Sequence, residues 1–251
     1  MKTLTNTLFY TLLLTLFAAT LPLKAQTTFT PQQIIQETLT LGATDVHAAD
    51  LDNDGDMDML SASQYDNKIA WYKNEGNGNF GTQQIITMNA SFAQSVYAAD
   101  LDNDGDMDVL SASLYGYKIA WYENEGNGNF GTQQIIITDA DSATSVYAAD
   151  LDNDGDMDVL SASYGDYKIA WYENDGSGNF GIQQIITTSA FFAQSVYAAD
   201  LDNDGDIDVL SADNNKIAWY ENDGNGNFGT QQIITTDVSG GSSVYAADLD
   251  N

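Results

Sequence analysis

The sequence predicts an all-β chain, an incomplete arc of a β-propeller built from four-stranded blades of about 50 residues each. Three observations predict it. The nine residues DLDNDGDMD at 50–58 return at 100–108, 150–158 and, with Ile207 in place of Met, 200–208, and a fifth copy opens at Asp248. The period from Val46 to Val96, Val146 and Val196 is 50 residues, then 48 to Val244, and strand-rich periods of this length indicate propeller blades. The strand-like runs are apolar on both faces: in KIAWYEN (118–124), Ile119 and Trp121 point one way and Ala120 and Tyr122 the other. A sheet wetted on one side would alternate, so each blade is expected to lie between two neighbours.

Taken in order, residues 1–25 read as a secretory signal peptide: Lys2 gives a positive start, 8–19 an apolar stretch, and Leu23-Lys24-Ala25 a cleavage site. The apolar stretch, interrupted by Thr11 and Thr15, is too short to span a membrane, so no membrane insertion of the mature chain is expected. Residues 26–251 are expected to form the repeats: a partial blade at 26–45, repeats at 46–95, 96–145, 146–195 and 196–243, and a truncated repeat at 244–251. In the second repeat the four strands are VYAAD (96–100), DVLSAS (108–113), KIAWYEN (118–124) and FGTQQIII (130–137), with a glycine-rich hairpin at 124–129. FTPQQII (29–35) matches a fourth strand lacking its first three, and is expected to complete the ring's last blade as a clasp. The chain itself reads as truncated inside its fifth Asp motif.

The Asp motif carries the chemistry. Carboxylates at its first, third, fifth and ninth places converge only if the chain curls tightly, which Gly55 permits. Without a cation each pair would repel by roughly 1 to 4 kcal/mol. An all-protein oxygen cage suits Ca²⁺, which takes six to eight oxygens in loose geometry, better than Mg²⁺. About four ions are expected, one per complete repeat, held among Asp50, Asp52, Asp54, Asp56 and Asp58; Asp100, Asp102, Asp104, Asp106 and Asp108; Asp150, Asp152, Asp154, Asp156 and Asp158; and Asp200, Asp202, Asp204, Asp206 and Asp208. At the seventh place (Asp56 and its equivalents) the backbone carbonyl is the expected ligand, with the side chain turned away. The loop is not an EF-hand, because its twelfth place is Ser61 rather than Glu and a strand follows instead of a helix.

DxDxDGxxD entering a strand, within a repeat that carries NFG, resembles the FG-GAP (or VCBS) repeat family of calcium-binding β-propellers, which includes the integrin α-subunit head. The likeness covers nearly all of 29–251 and suggests a secreted member of bacterial type. It implies a calcium-binding propeller, usually of seven blades, with an adhesion or recognition role.

Charge and composition narrow the function. The chain holds 37 acidic residues against seven Lys and Arg; two of those lysines precede residue 26, leaving a formal −32 on the mature chain. Four calcium ions would return it to about −24. Nucleic acid is excluded as a partner for want of basic patches. Catalysis has little to stand on: there is no cysteine, and the one histidine, His47, holds the place taken by Tyr97, Tyr147, Tyr197 and Tyr245, so it reads as packing. Trp71, Trp121, Trp171 and Trp219 recur once per repeat and read as interblade core. Strand alternation puts the Asp loops and glycine-rich hairpins on one face; sequence variation gathers on the other, where Tyr65, Tyr115, Tyr117, Tyr164, Tyr167, Phe92, Phe191 and Phe192 form a candidate ligand-binding set. The expected function is a secreted or cell-surface, non-catalytic module that binds an extracellular protein or glycan. The alternative is an accessory propeller of a larger exported, polysaccharide-active enzyme.

Overall fold

The computed structural model describes residues 41–249, which form four antiparallel four-stranded sheets and no helix. The expected signal peptide at 1–25 and the expected clasp segment at 29–35 lie outside the described residues. The first sheet runs β1 (Ala43–Ala49), β2 (Asp58–Ser63), β3 (Lys68–Tyr72), β4 (Gln84–Thr87), and the second β5 (Ala93–Ala99), β6 (Asp108–Ser113), β7 (Lys118–Tyr122), β8 (Gln134–Ile137). The third runs β9 (Ala143–Ala149), β10 (Asp158–Ser163), β11 (Lys168–Tyr172), β12 (Gln184–Thr187), and the fourth β13 (Ser195–Ala199), β14 (Asp208–Ala212), β15 (Ile217–Tyr220), β16 (Gln232–Thr235). Each sheet is one blade in simple up-and-down order. Its first strand packs beside the first strand of the next blade, so β1, β5, β9 and β13 line the inside of an open arc.

The core lies between blades, as strands apolar on both faces require. Leu51, Leu60, Ile69 and Trp71 of the first blade meet Val96, Ala98, Val109 and Tyr122 of the second. Ile119 and Trp121 face the third blade instead, and the pattern repeats between the third and fourth. Each fully buried aliphatic side chain contributes roughly 1.5–3 kcal/mol. The inner strands carry an aromatic stack, His47–Tyr97–Tyr147–Tyr197, which the non-strand Tyr245 extends, with successive ring centroids 4.4, 4.5, 4.9 and 4.7 Å apart. His47 therefore packs where the tyrosines pack.

Strand boundaries differ from the sequence pattern: the third strand ends at Tyr122 rather than Asn124 and the first at Ala99 rather than Asp100, and two strand starts shift further. The first strands of the first three blades begin three residues early, at Ala43, Ala93 and Ala143, because a bulge carries the pairing on to Ser63, Ser113 and Ser163. The fourth strand begins late, at Gln134 rather than Phe130. Phe130 makes only an isolated bridge to Asn124 and sets its ring edge-on against Trp71 of the preceding blade, 6.5 Å between centroids. Interblade packing thus takes the residue that would have opened the strand.

Candidate metal centre

Each Asp loop joins the first strand of a blade to the second. Asn53, Asn103, Asn153 and Asn203, at the fourth place, adopt φ of 60°, 60°, 61° and 62°, a left-handed conformation that Asn tolerates better than most residues. Gly55 follows at φ 90°. Amides turned inward by this curl bond the loop's own carboxylates: Asp50 accepts from the N–H of Asp54 at 3.1 Å and of Gly55 at 2.9 Å. The ninth residue anchors the loop to the sheet. Asp58 is fully buried, accepting from the N–H of Leu51 at 2.9 Å and of Asn74 at 2.7 Å.

The curl brings one oxygen from each of the first, third and ninth residues within 4.8 Å of one another: Asp50, Asp52 and Asp58; Asp100, Asp102 and Asp108; Asp150, Asp152 and Asp158; Asp200, Asp202 and Asp208. The fifth place stands beside this triplet: Asp54, Asp104, Asp154 and Asp204 each accept from the amide two residues on, at 2.9–3.0 Å. The seventh place points elsewhere. Asp106, Asp156 and Asp206 accept from the side-chain amides of Asn53, Asn103 and Asn153 in the preceding blade, the last two at 2.7 and 2.8 Å.

Electrostatics mark the triplets as incomplete by themselves. Burial pushes the carboxyls of Asp108 and Asp158 up to about 7, and raises those of Asp58 and Asp208. Burial and the charges of Asp104 and Asp154 raise Asp102 and Asp152 as well. Asp52 Oδ1, Asp100 Oδ1 and Asp150 Oδ1 are buried with no hydrogen-bond donor. Orphaned carboxylate oxygens in a cluster of acids fit a cation that accepts lone pairs, and each of the four triplets could hold a metal ion.

Three sets of residues at this rim went unread in the sequence. The fourth-place asparagines form the interblade links just described. Asn124, Asn174 and Asn222 each donate to two carbonyls, one in the preceding blade's loop (Leu51, Leu101, Leu151) at 2.7–2.9 Å and one in their own. Lys73, unlike Glu123, Glu173 and Glu221 at the same place, pairs with Asp52 and with Asp54, 2.9 Å from the latter. Recurrence of the asparagines, and the sign change at 73, were the available signals.

On the opposite face the turns after the second strands meet the blade-to-blade connections, as Phe92 N–H donating to Asn67 Oδ1 at 2.8 Å shows. Two aromatic groups stand there. Tyr65 lies 5.7 Å from Phe92, which lies 4.4 Å from Tyr115; Tyr164 and Tyr167 lie 4.7 and 5.1 Å from Phe192, and Tyr167 5.0 Å from Phe191. Tyr65, Tyr115, Tyr117, Tyr164 and Phe191 are exposed, and the other three half-buried. Tyr117, Tyr167, Phe92 and Phe192 hold positive φ of 51–60°.

The fold and the repeated Asp loops define a class, the repeat-built propellers. The FG-GAP-like repeat model matches residues 50–111, 100–161, 151–211 and 200–251, and the chain belongs to that family. No curated protein matches it. Among solved structures it is similar to an Agrocybe aegerita lectin that recognises non-reducing terminal N-acetylglucosamine, at 23% identity and a TM-score of 0.56 over 76% of this chain and 52% of that one. It is also similar to an auxiliary nutrient-binding protein from Bacteroides ovatus, at 13% identity and a TM-score of 0.51 over 78% of this chain and 48% of that one. The chain thus spans about half the length of these structures.

Proposed function

We propose that this chain is a secreted, calcium-binding propeller segment that works as a non-catalytic binding module, presenting its aromatic loop face to an extracellular glycan or protein. The Asp triplets, with their orphaned oxygens, suit calcium and stiffen one rim; Asp54 and its equivalents complete the donor set. Recognition falls to the opposite face. The observation that carries this reading is backbone conformation. At one left-handed place the successive repeats have Gly42, Phe92, Ser142, Phe192 and Gly240, and at another Asn67, Tyr117 and Tyr167. Glycine and asparagine accept that conformation readily, whereas bulky rings there cost of order 1 kcal/mol or more. Phe92 packs against the exposed Tyr65 and Tyr115, and Phe192 against the exposed Tyr164, so the strained rings gather the exposed ones into two groups. Exposed rings on a rigid scaffold suit recognition, since they order a large contact area at small entropic cost. The repeat fold shared with a lectin and a nutrient-binding protein supports the same reading.

The calcium-loaded protein would be screened against a glycan array and extracellular matrix proteins. Replacing Tyr115, Tyr117, Phe191 and Phe192 together with Ala is expected to weaken the hit at least about 30-fold, at roughly 0.5–1.5 kcal/mol per ring. Phe92→Gly with Phe192→Gly, which keeps the left-handed backbone without a side chain, is expected to weaken binding while costing less melting temperature than Phe92→Ala with Phe192→Ala. Binding that survives the fourfold replacement in a folded protein would place the site elsewhere.

A further inference from the structure

We propose that Lys73 sets the first Asp loop apart from the other three, serving as its built-in counter-ion and making it the weakest cation site of the chain. The inference rests on the calcium reading of the loops. Four nearly identical nonapeptides suggest four equal sites, but the residue that leaves the third strand and lies over the loop is Lys73 in the first blade and Glu123, Glu173 and Glu221 in the others. The Lys73 ammonium hydrogen-bonds Asp52 Oδ2 and lies 2.9 Å from Asp54 Oδ2. Asp52 belongs to the triplet and its side chain is only 7% exposed, so the ammonium reaches a carboxylate that has little water of its own. Of the two Asp52 oxygens one is taken by the lysine, and the other, Oδ1, is buried without a donor.

In the other blades the corresponding Glu turns toward a fourth-strand glutamine, Glu123 accepting from Gln134 at 3.2 Å and Glu221 from Gln232 at 3.3 Å. It adds negative charge near the loop and occupies none of its oxygens. A cation entering the first loop must therefore displace or coexist with a tethered positive charge. A unit charge about 5 Å from a dication weakens its binding by about tenfold even in the dielectric of water. The same lysine holds the first loop together when calcium is scarce, while loops two to four depend on the ion.

The test is calorimetric titration of calcium into the chelator-stripped full chain. Wild type is expected to take up three tight equivalents and one at least about tenfold weaker. Lys73→Glu should bring the fourth into line with the rest, Lys73→Met should tighten it by a smaller factor, and Glu123→Lys should reduce the tight equivalents to two. Four equal equivalents in wild type, unaltered in Lys73→Glu, would overturn the proposal. No calcium uptake by any variant would instead overturn the calcium reading on which it stands.

Discussion

Asp108 has no exposed surface, and its two oxygens accept from the N–H groups of Leu101 at 2.9 Å and Asn124 at 2.7 Å. Those bonds favour the carboxylate, but burial outweighs them, with Asp102 and Asp104 adding repulsion, and the carboxyl rises to about 7. Asp158 stands in the same balance at about 7. The folded state therefore binds protons more tightly than the unfolded chain does. The stability these groups contribute without a cation is fully present below the unfolded value near 3.8 and is lost as pH rises through about 7. A cation reverses the sign, because it binds the ionised form and gains affinity over the same window. In chelator the melting temperature is expected to fall between about pH 4 and pH 7, while in saturating calcium it holds level or rises. Asp108→Asn should reduce the slope of the chelator curve, and Asp108→Asn with Asp158→Asn should reduce it further. A chelator curve that climbs with pH would contradict this account.

At the scale of the strand and loop, the blades are joined by side chains aimed at the neighbour's backbone. Asn124, 1% exposed, donates to Leu51 O at 2.9 Å and Met107 O at 3.0 Å, so Asn124→Ala leaves buried carbonyls unpaired and is expected to cost about 1–3 kcal/mol by chemical denaturation. Gly128, at φ 71°, lies against Trp71, where an added Cβ would come within 2.2 Å of the indole. Gly128→Ala should cost a further about 2–4 kcal/mol from strain and overpacking. Both losses are measurable as shifts in the denaturation midpoint, and unchanged midpoints would show the interfaces to be loose. These contacts also explain what could be read in advance. The four-stranded blades, their strand order and the repeated aspartate loops were legible because each is written locally and repeated. The early start of β5 and the late start of β8 were not, because a bulge and the docking of Phe130 on Trp71 depend on partners outside the strand. Asp106 was legible as a side chain turned from its own loop; that Asn53 of the previous blade donates to it was not, since 53 residues separate them.

For the whole molecule, the arc behaves as a linear array in which each blade is stabilised by its neighbours, so the weakest interface governs unfolding. Its acidic excess, 37 Asp and Glu against seven Lys and Arg, opposes compaction wherever carboxylates crowd, and they crowd most at the metal rim. That rim is also where the asparagines tie loop to loop, so on the proposed reading an ion bound in one loop would stiffen the interface with the next. Extracellular calcium modules bind with Kd of about 0.1–1 mM, and at about 10 mM calcium each such site stabilises the folded state by roughly 1.4–2.7 kcal/mol. On the calcium reading proposed above, three tight sites would supply about 4–8 kcal/mol, which for an array of this size corresponds to roughly 10–30 °C in melting temperature. Scanning calorimetry in calcium and in chelator, at matched ionic strength, is expected to show a shift of that order, with Lys73→Glu more sensitive to chelator than wild type because it gives up the tethered charge. Sodium chloride at matched ionic strength should recover only a small part of the shift, since screening lacks the coordination that the triplets supply. Superimposable melts in calcium and chelator would mean that the aspartate loops hold themselves together without an ion.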